Sequence, residues 1–73
     1  MFVLITENDL KITAHAAEKM LLEGISMGQI CRALERGSKF QQTEGYLCSY
    51  LYFSVAYKKI GNKYKIKTVY INK

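Results

Sequence analysis

A single histidine, His15, and a C-terminal run of lysines interleaved with tyrosines are the side chains here best suited to chemistry. An imidazole is the common proton donor or acceptor near neutral pH. His15 falls in the first turn of an expected helix, with Glu18 three and Lys19 four residues on, where side chains meet on a helix surface. A lone histidine is structural or incidental more often than catalytic, so position alone assigns it no role. The lysines are more informative. Residues 57 to 73 hold six of them (Lys58, Lys59, Lys63, Lys65, Lys67, Lys73) and no acid, whereas residues 1 to 56 carry five basic and six acidic side chains. The formal net charge of +5 thus arises in the last seventeen residues. Such one-sidedness suits an anionic partner. It equally suits a lysine-rich sheet edge that resists pairing with other strands. Tyr50 and Tyr52 are expected to share a sheet face with Lys58, Lys63, Lys65 and Lys67. Rings that stack on bases beside ammonium groups that hold phosphates would make that face bind nucleic acid. The alternative is an ordinary open face on which rings cover lysine stems.

Two short helices must position these groups. Thr13 is the expected N-cap of a helix over Ala14 to Glu23, closed by Gly24. Helical spacing gathers Ala14, Ala16, Ala17, Met20 and Leu21 on the expected inner side and sends His15, Glu18, Lys19 and Glu23 outward. Ser26 and Gln29 then form a capping box, with Ile25 and Ile30 as its hydrophobic staple. The second helix buries Met27, Ile30, Cys31 and Leu34, turns Arg32, Glu35 and Arg36 outward, and stops at Gly37.

Strands are expected elsewhere. Residues 2 to 6, FVLIT, have the composition of a short buried strand, followed by an Asn8-Asp9 turn. Lys39 to Thr43, Tyr46 to Lys59 and Lys63 to Asn72 are the expected antiparallel strands, with turns at Glu44-Gly45 and Gly61-Asn62. The second turn pairs Ile60 with Lys63, Tyr57 with Ile66, Val55 with Thr68 and Phe53 with Tyr70. Leu51, Phe53, Val55, Tyr57, Tyr64, Ile66, Thr68 and Tyr70 would then lie beneath the helices.

The string Thr13-Ala14-His15-Ala16-Ala17-Glu18-Lys19-Met20, followed by Glu23-Gly24-Ile25-Ser26, resembles the T-x-H-A-x-x-R-M-x-x-R-G-I-[ST] signature of a family of small toxin-like domains. That family is grouped with the RelE/ParE toxin superfamily and with BrnT-type toxins. The likeness extends through Ile30, Ala33, Leu34 and Gly37 to a closing strand, Lys67-Thr68-Val69-Tyr70. Lys19 and Glu23 stand where the family pattern usually has arginines. The resemblance implies an α+β fold with two helices on one face of a three- to four-stranded antiparallel sheet. It also implies a metal-independent ribonuclease acting on mRNA or at the ribosome, without cofactor. In that chemistry His15 would be the base, Arg32, Arg36, Lys65 or Lys67 would hold phosphate charge, and Tyr70 or Tyr52 would supply a proton. An acidic antitoxin would be the partner, guided by charge complementarity.

The residues themselves support a second reading, a non-catalytic domain that binds nucleic acid or an acidic protein segment through its basic C-terminal hairpin; Lys19 would join Lys58, Lys63, Lys65 and Lys67 at such a surface. A metal site built from His15, Cys31, Cys48 and a carboxylate would need ligands on opposite faces to converge. The two cysteines are seventeen residues apart, fit no zinc or redox spacing, and read as buried thiols. At 73 residues the chain makes one domain, of a size that buries only about 60% of its unfolded surface. No run is long and apolar enough for a membrane span or a signal peptide, which makes the cytoplasm the expected location.

Overall fold

A computed structural model describes residues 5–72. A 3-10 turn (Glu7–Asp9) leads into strand β1 (Leu10–Ile12), followed by helices α1 (Ala14–Glu23) and α2 (Met27–Arg36) and then strands β2 (Ser38–Gln42), β3 (Gly45–Tyr50), β4 (Phe53–Ile60) and β5 (Lys63–Ile71). The fold is α+β. The sheet has five strands in the order β1-β5-β4-β3-β2 and is mixed rather than wholly antiparallel, because β1 runs parallel to β5. This corrects the expected three to four antiparallel strands.

The helices form where local chemistry demands them. Thr13 Oγ1 accepts a hydrogen bond from the Ala16 amide, and Gly24 ends α1 in the left-handed conformation at φ 69°. Ser26 and Gln29 exchange both bonds of a capping box at the start of α2. Ile30, Cys31 and Leu34 of α2 are buried, as the apolar stripe predicts; Met27 is only half-buried, and Ala33 is buried in addition. The orientation of α1 differs from expectation. Ala16 is its one fully buried residue, while Ala14, Ala17 and Leu21, all expected to face inward, are exposed, Leu21 by 84%. Hydrogen bonds from Thr13 to β5 set the rotation of this helix, and they override a weak apolar pattern.

Three corrections concern strands. The expected strand over residues 2–6 lies outside the described residues for its first part, and Ile5 and Thr6 are not in a strand; β1 forms later, at Leu10–Ile12. The expected long strand from Tyr46 to Lys59 is two strands, β3 and β4, joined at Leu51-Tyr52. Leu51 takes a φ of 52°, a conformation that leucine rarely adopts and that composition therefore does not signal. Finally, the pairing of β4 with β5 follows the expected register at Ile60–Lys63 and Tyr57–Ile66, then shifts at a β-bulge that leaves Lys67 as the extra residue. Val55 now faces Val69, and Phe53 faces Ile71. Because side chains alternate with a period of two, one inserted residue exchanges the faces of everything beyond it. Val69 becomes fully buried, while Thr68 and Tyr70 move to the opposite face.

The core therefore lies between the helices and one side of the sheet, built from Ile30, Leu34, Cys48, Phe53, Val55, Ile66 and Val69. The other side is open. Among the described residues, no helix is long and apolar enough to cross a membrane.

Candidate functional site

Three lysines stand side by side on the open face. The register places Lys58 of β4 opposite Lys65 of β5, and Lys65 beside Lys11 of β1. Like charges directly across neighbouring strands destabilise a sheet, so this row favours an anion that lies over it. Among the described residues the one salt bridge joins Lys19 to Glu23 at 3.7 Å, leaving the row without a carboxylate partner. Lys11 and Lys65 also line a shallow depression of about 300 Å³ with Ile60.

The next row across the same face is largely apolar, Phe40, Leu47 and Ala56, and ends at Thr68. Phe40 is 52% exposed. A third row brings Ser38, Ser49, Ser54 and Tyr70 into line. Ser54 Oγ donates to Asn72 Oδ1 at 2.6 Å, and Asn72 Nδ2 donates to Ser49 Oγ at 3.3 Å. This network satisfies Ser54, which is buried, and braces the strand end that presents Tyr70. The face thus offers cations, then an apolar strip, then hydroxyls and a phenol.

Two further lysines are engaged with the backbone. Lys67, the bulge residue, reaches across β4 and donates to the Glu44 carbonyl in the β2–β3 turn at 2.8 Å. Lys63 donates to the Asn8 carbonyl at 2.7 Å. Both use an ammonium group to tie a strand to a loop.

The other residues singled out from the sequence are dispersed. His15 is exposed in the first turn of α1, on the helix side of the sheet, whereas Tyr70 lies on the open side. Arg32 and Arg36 are exposed on α2, and Arg32 borders a crevice with Ile5, Glu7 and Glu35. Lys19 is held by Glu23. Tyr50 and Tyr52 do not join the lysines. Tyr50 meets the Phe53 ring edge-on at 6.1 Å, and the Tyr52 hydroxyl accepts from Gln29 Nε2 at 2.9 Å. The break at Leu51 puts Tyr50 on the helix side of the sheet, in register with Phe53, and brings Tyr52 to Gln29 of α2. His15, Cys31 and Cys48 do not converge, and no three of the described His, Cys, Asp and Glu residues come together.

Sequence reasoning also missed a second constellation, on the helix side of the sheet near the β4–β5 turn. Tyr46, Tyr57 and Tyr64 lie on adjacent strands, with Lys39, Gln41 and Lys59 around them, in a groove of about 420 Å³. Tyr46 and Tyr57 stack at 5.6 Å, Tyr57 and Tyr64 lie 5.8 Å apart, and Lys59 Nζ sits 5.4 Å from the Tyr64 ring centre. Burial pushes the Tyr57 phenol up to about 12, with smaller contributions from Cys48, Tyr64 and Tyr46. A signal for this groove existed in the element lengths. Ten-residue helices reach roughly 15 Å, while strands of eight and nine residues run roughly 27–30 Å. One end of the inner face must therefore remain uncovered. No family model, curated protein or solved structure matches this chain.

Proposed function

We propose that this protein is a small RelE-like domain that binds single-stranded nucleic acid, without cleaving it, through the open face of its sheet. The observation that carries this reading is the row Lys58–Lys65–Lys11, three ammonium groups on three neighbouring strands. A phosphate backbone laid across that row would relieve the repulsion within it, and bases of a strand continuing over the same face would rest on Phe40 and Tyr70 in the two rows beyond. The sequence motif around His15 and the two-helix, one-sheet arrangement support the RelE-like part of the reading. Cleavage is the weaker reading, because His15 and Tyr70 stand on opposite sides of β5 and cannot act on one phosphate together.

The test is a salt titration of binding to a short oligouridylate. Three phosphate contacts on a single strand give a log–log slope of about −2. The Lys11→Gln/Lys58→Gln/Lys65→Gln variant should flatten that slope by about the same amount, and the RNA should be recovered intact. A wild-type slope near zero, or an unchanged slope in the variant, would sink the assignment to this face. RNA cut by the wild type and spared by His15→Ala would restore the ribonuclease.

A further inference from the structure

The tyrosine groove lies on the face opposite the lysine row, so it is a separate site and stands or falls on its own. We infer that it binds a nucleoside phosphate, with the base lying on the rings of Tyr46 and Tyr64 and the phosphate held by Lys39 or Lys59.

The ligand chemistry follows from the lining. Three phenol rings offer a broad π surface whose floor, Tyr57, is buried, while Tyr46 remains 39% exposed. Rings alone would also suit a cationic ligand. The lysines exclude that: Lys39 lies at one end of the groove, in register with Cys48, and Lys59 at the other, in register with Tyr64. Neither has a carboxylate partner among the described residues. A ligand complementary to this lining is flat and aromatic in its centre and negatively charged at its end. Gln41 adds an amide that can both donate to and accept from the edge of a base. The volume of about 420 Å³ falls within the usual range of small-ligand sites.

An aromatic cap serving only to cover the sheet end would close over Tyr57 and leave no groove. Lys59 Nζ, over the Tyr64 ring, and Lys39 Nζ, 3.4 Å from the Gly37 carbonyl, are both within reach of a phosphate at the ends of the groove. The same chemistry has two sources, a free mononucleotide or one unstacked nucleotide of a single strand. Lys58 and Lys59 are successive residues on β4 and so point to opposite faces. A strand crossing the β4–β5 turn would therefore pass from the lysine row into the groove.

The experiment is a calorimetric titration of the full chain with uridine 5′-monophosphate, uridine, inorganic phosphate and a decauridylate, followed in parallel by the NMR signals of the tyrosine rings. The monophosphate should bind and shift the Tyr46 and Tyr64 signals, and uridine and phosphate should each bind at least about tenfold more weakly. Tyr46→Leu and Lys59→Gln should each weaken binding by roughly tenfold, the size of one lost stacking or charge contact. Tyr64→Leu stands in where Tyr46→Leu does not fold. Ring shifts with the decauridylate alone would support the site and assign the base to a strand. Two results would overturn the inference: no ring shift with either nucleotide, or phosphate binding as tightly as the monophosphate with no loss in Tyr46→Leu. The Lys11/Lys58/Lys65 variant is read through its salt slope, so a failure of the open face is distinguishable from a failure of the groove.

Discussion

The Thr13 hydroxyl donates a hydrogen bond to the Ile66 carbonyl at 2.9 Å, and its oxygen accepts another from the Ala16 amide at 3.1 Å. It lies 3.3 Å from the Lys67 carbonyl as well, and the Thr13 amide also donates to Ile66 at 3.3 Å. One residue therefore caps α1, docks it on β5 and holds the carbonyls of the β-bulge. The bulge decides which β5 side chains face the core, so the cap and the two faces of the sheet depend on a common contact.

Thr13→Val removes the hydroxyl and keeps the shape. It should cost about 1–2 kcal/mol, the lost cap and the lost hydroxyl bond to an Ile66 carbonyl that still accepts from the Thr13 amide, while Thr13→Ser should cost less than half of that. Urea unfolding of the three proteins checks this, and equal losses for the two variants would refute the role of the hydroxyl.

Gly37 is required by proximity and not by its backbone angle, since its φ is −74°. A Cβ there would come within 2.6 Å of Cys48 Sγ, 2.6 Å of the Ala33 carbonyl and 2.7 Å of the Ser49 carbonyl. Cys48 Sγ already donates to that Ala33 carbonyl at 2.7 Å. Gly37→Ala should destabilise by about 2–3 kcal/mol through overpacking. Gly28→Ala is the contrast. Its Cβ would meet only Ser26 Oγ at 3.8 Å, so the variant should gain about 0.5–1 kcal/mol from better helix propensity. Thermal melts that moved in the same direction for both variants would contradict this account.

Leu51 occupies the first central position of the two-residue β3–β4 loop with φ 52° and is 75% exposed. Its side chain gains little there, and its backbone is strained. Leu51→Gly should therefore raise stability by about 1 kcal/mol, the order of the strain removed. A lower melting temperature for Leu51→Gly would mean that the leucine makes a stabilising contact outweighing the strain.

The Tyr57 phenol holds its proton to about 12, against an ordinary value of 10.0, chiefly because it is buried. The unfolded chain loses that proton first. This contribution to stability is thus complete below pH 10 and disappears as the pH rises toward 12. Tyr57→Phe keeps the ring and removes the proton, so its melting temperature should fall less between pH 10 and 12 than that of the wild type. Parallel curves for the two proteins would show that Tyr57 does not contribute to the alkaline transition.

Both helices were legible in the sequence to the residue, because caps and boxes are bonds among groups three or four positions apart. Thr13, Gly24, Ser26 and Gln29 carry their own instructions. The Gly61-Asn62 turn and the pairing next to it were legible for the same reason, as was the concentration of lysine near the C-terminus. Tertiary structure decided the rest. The break at Leu51 is strain that the strands on either side sustain, and no turn-forming residue announces it. The bulge at Lys67 is held by Thr13, 53 residues earlier than its Ile66 partner. These two features determine that Tyr50 lies on the helix side of the sheet and Tyr52 reaches Gln29 of α2, that Tyr70 shares the open face with the lysines, and that Tyr46, Tyr57 and Tyr64 line one groove. Strand alternation is a local rule, but one unpaired residue reverses it for every position beyond. Which rings meet which lysines is therefore set by contacts distant in the chain.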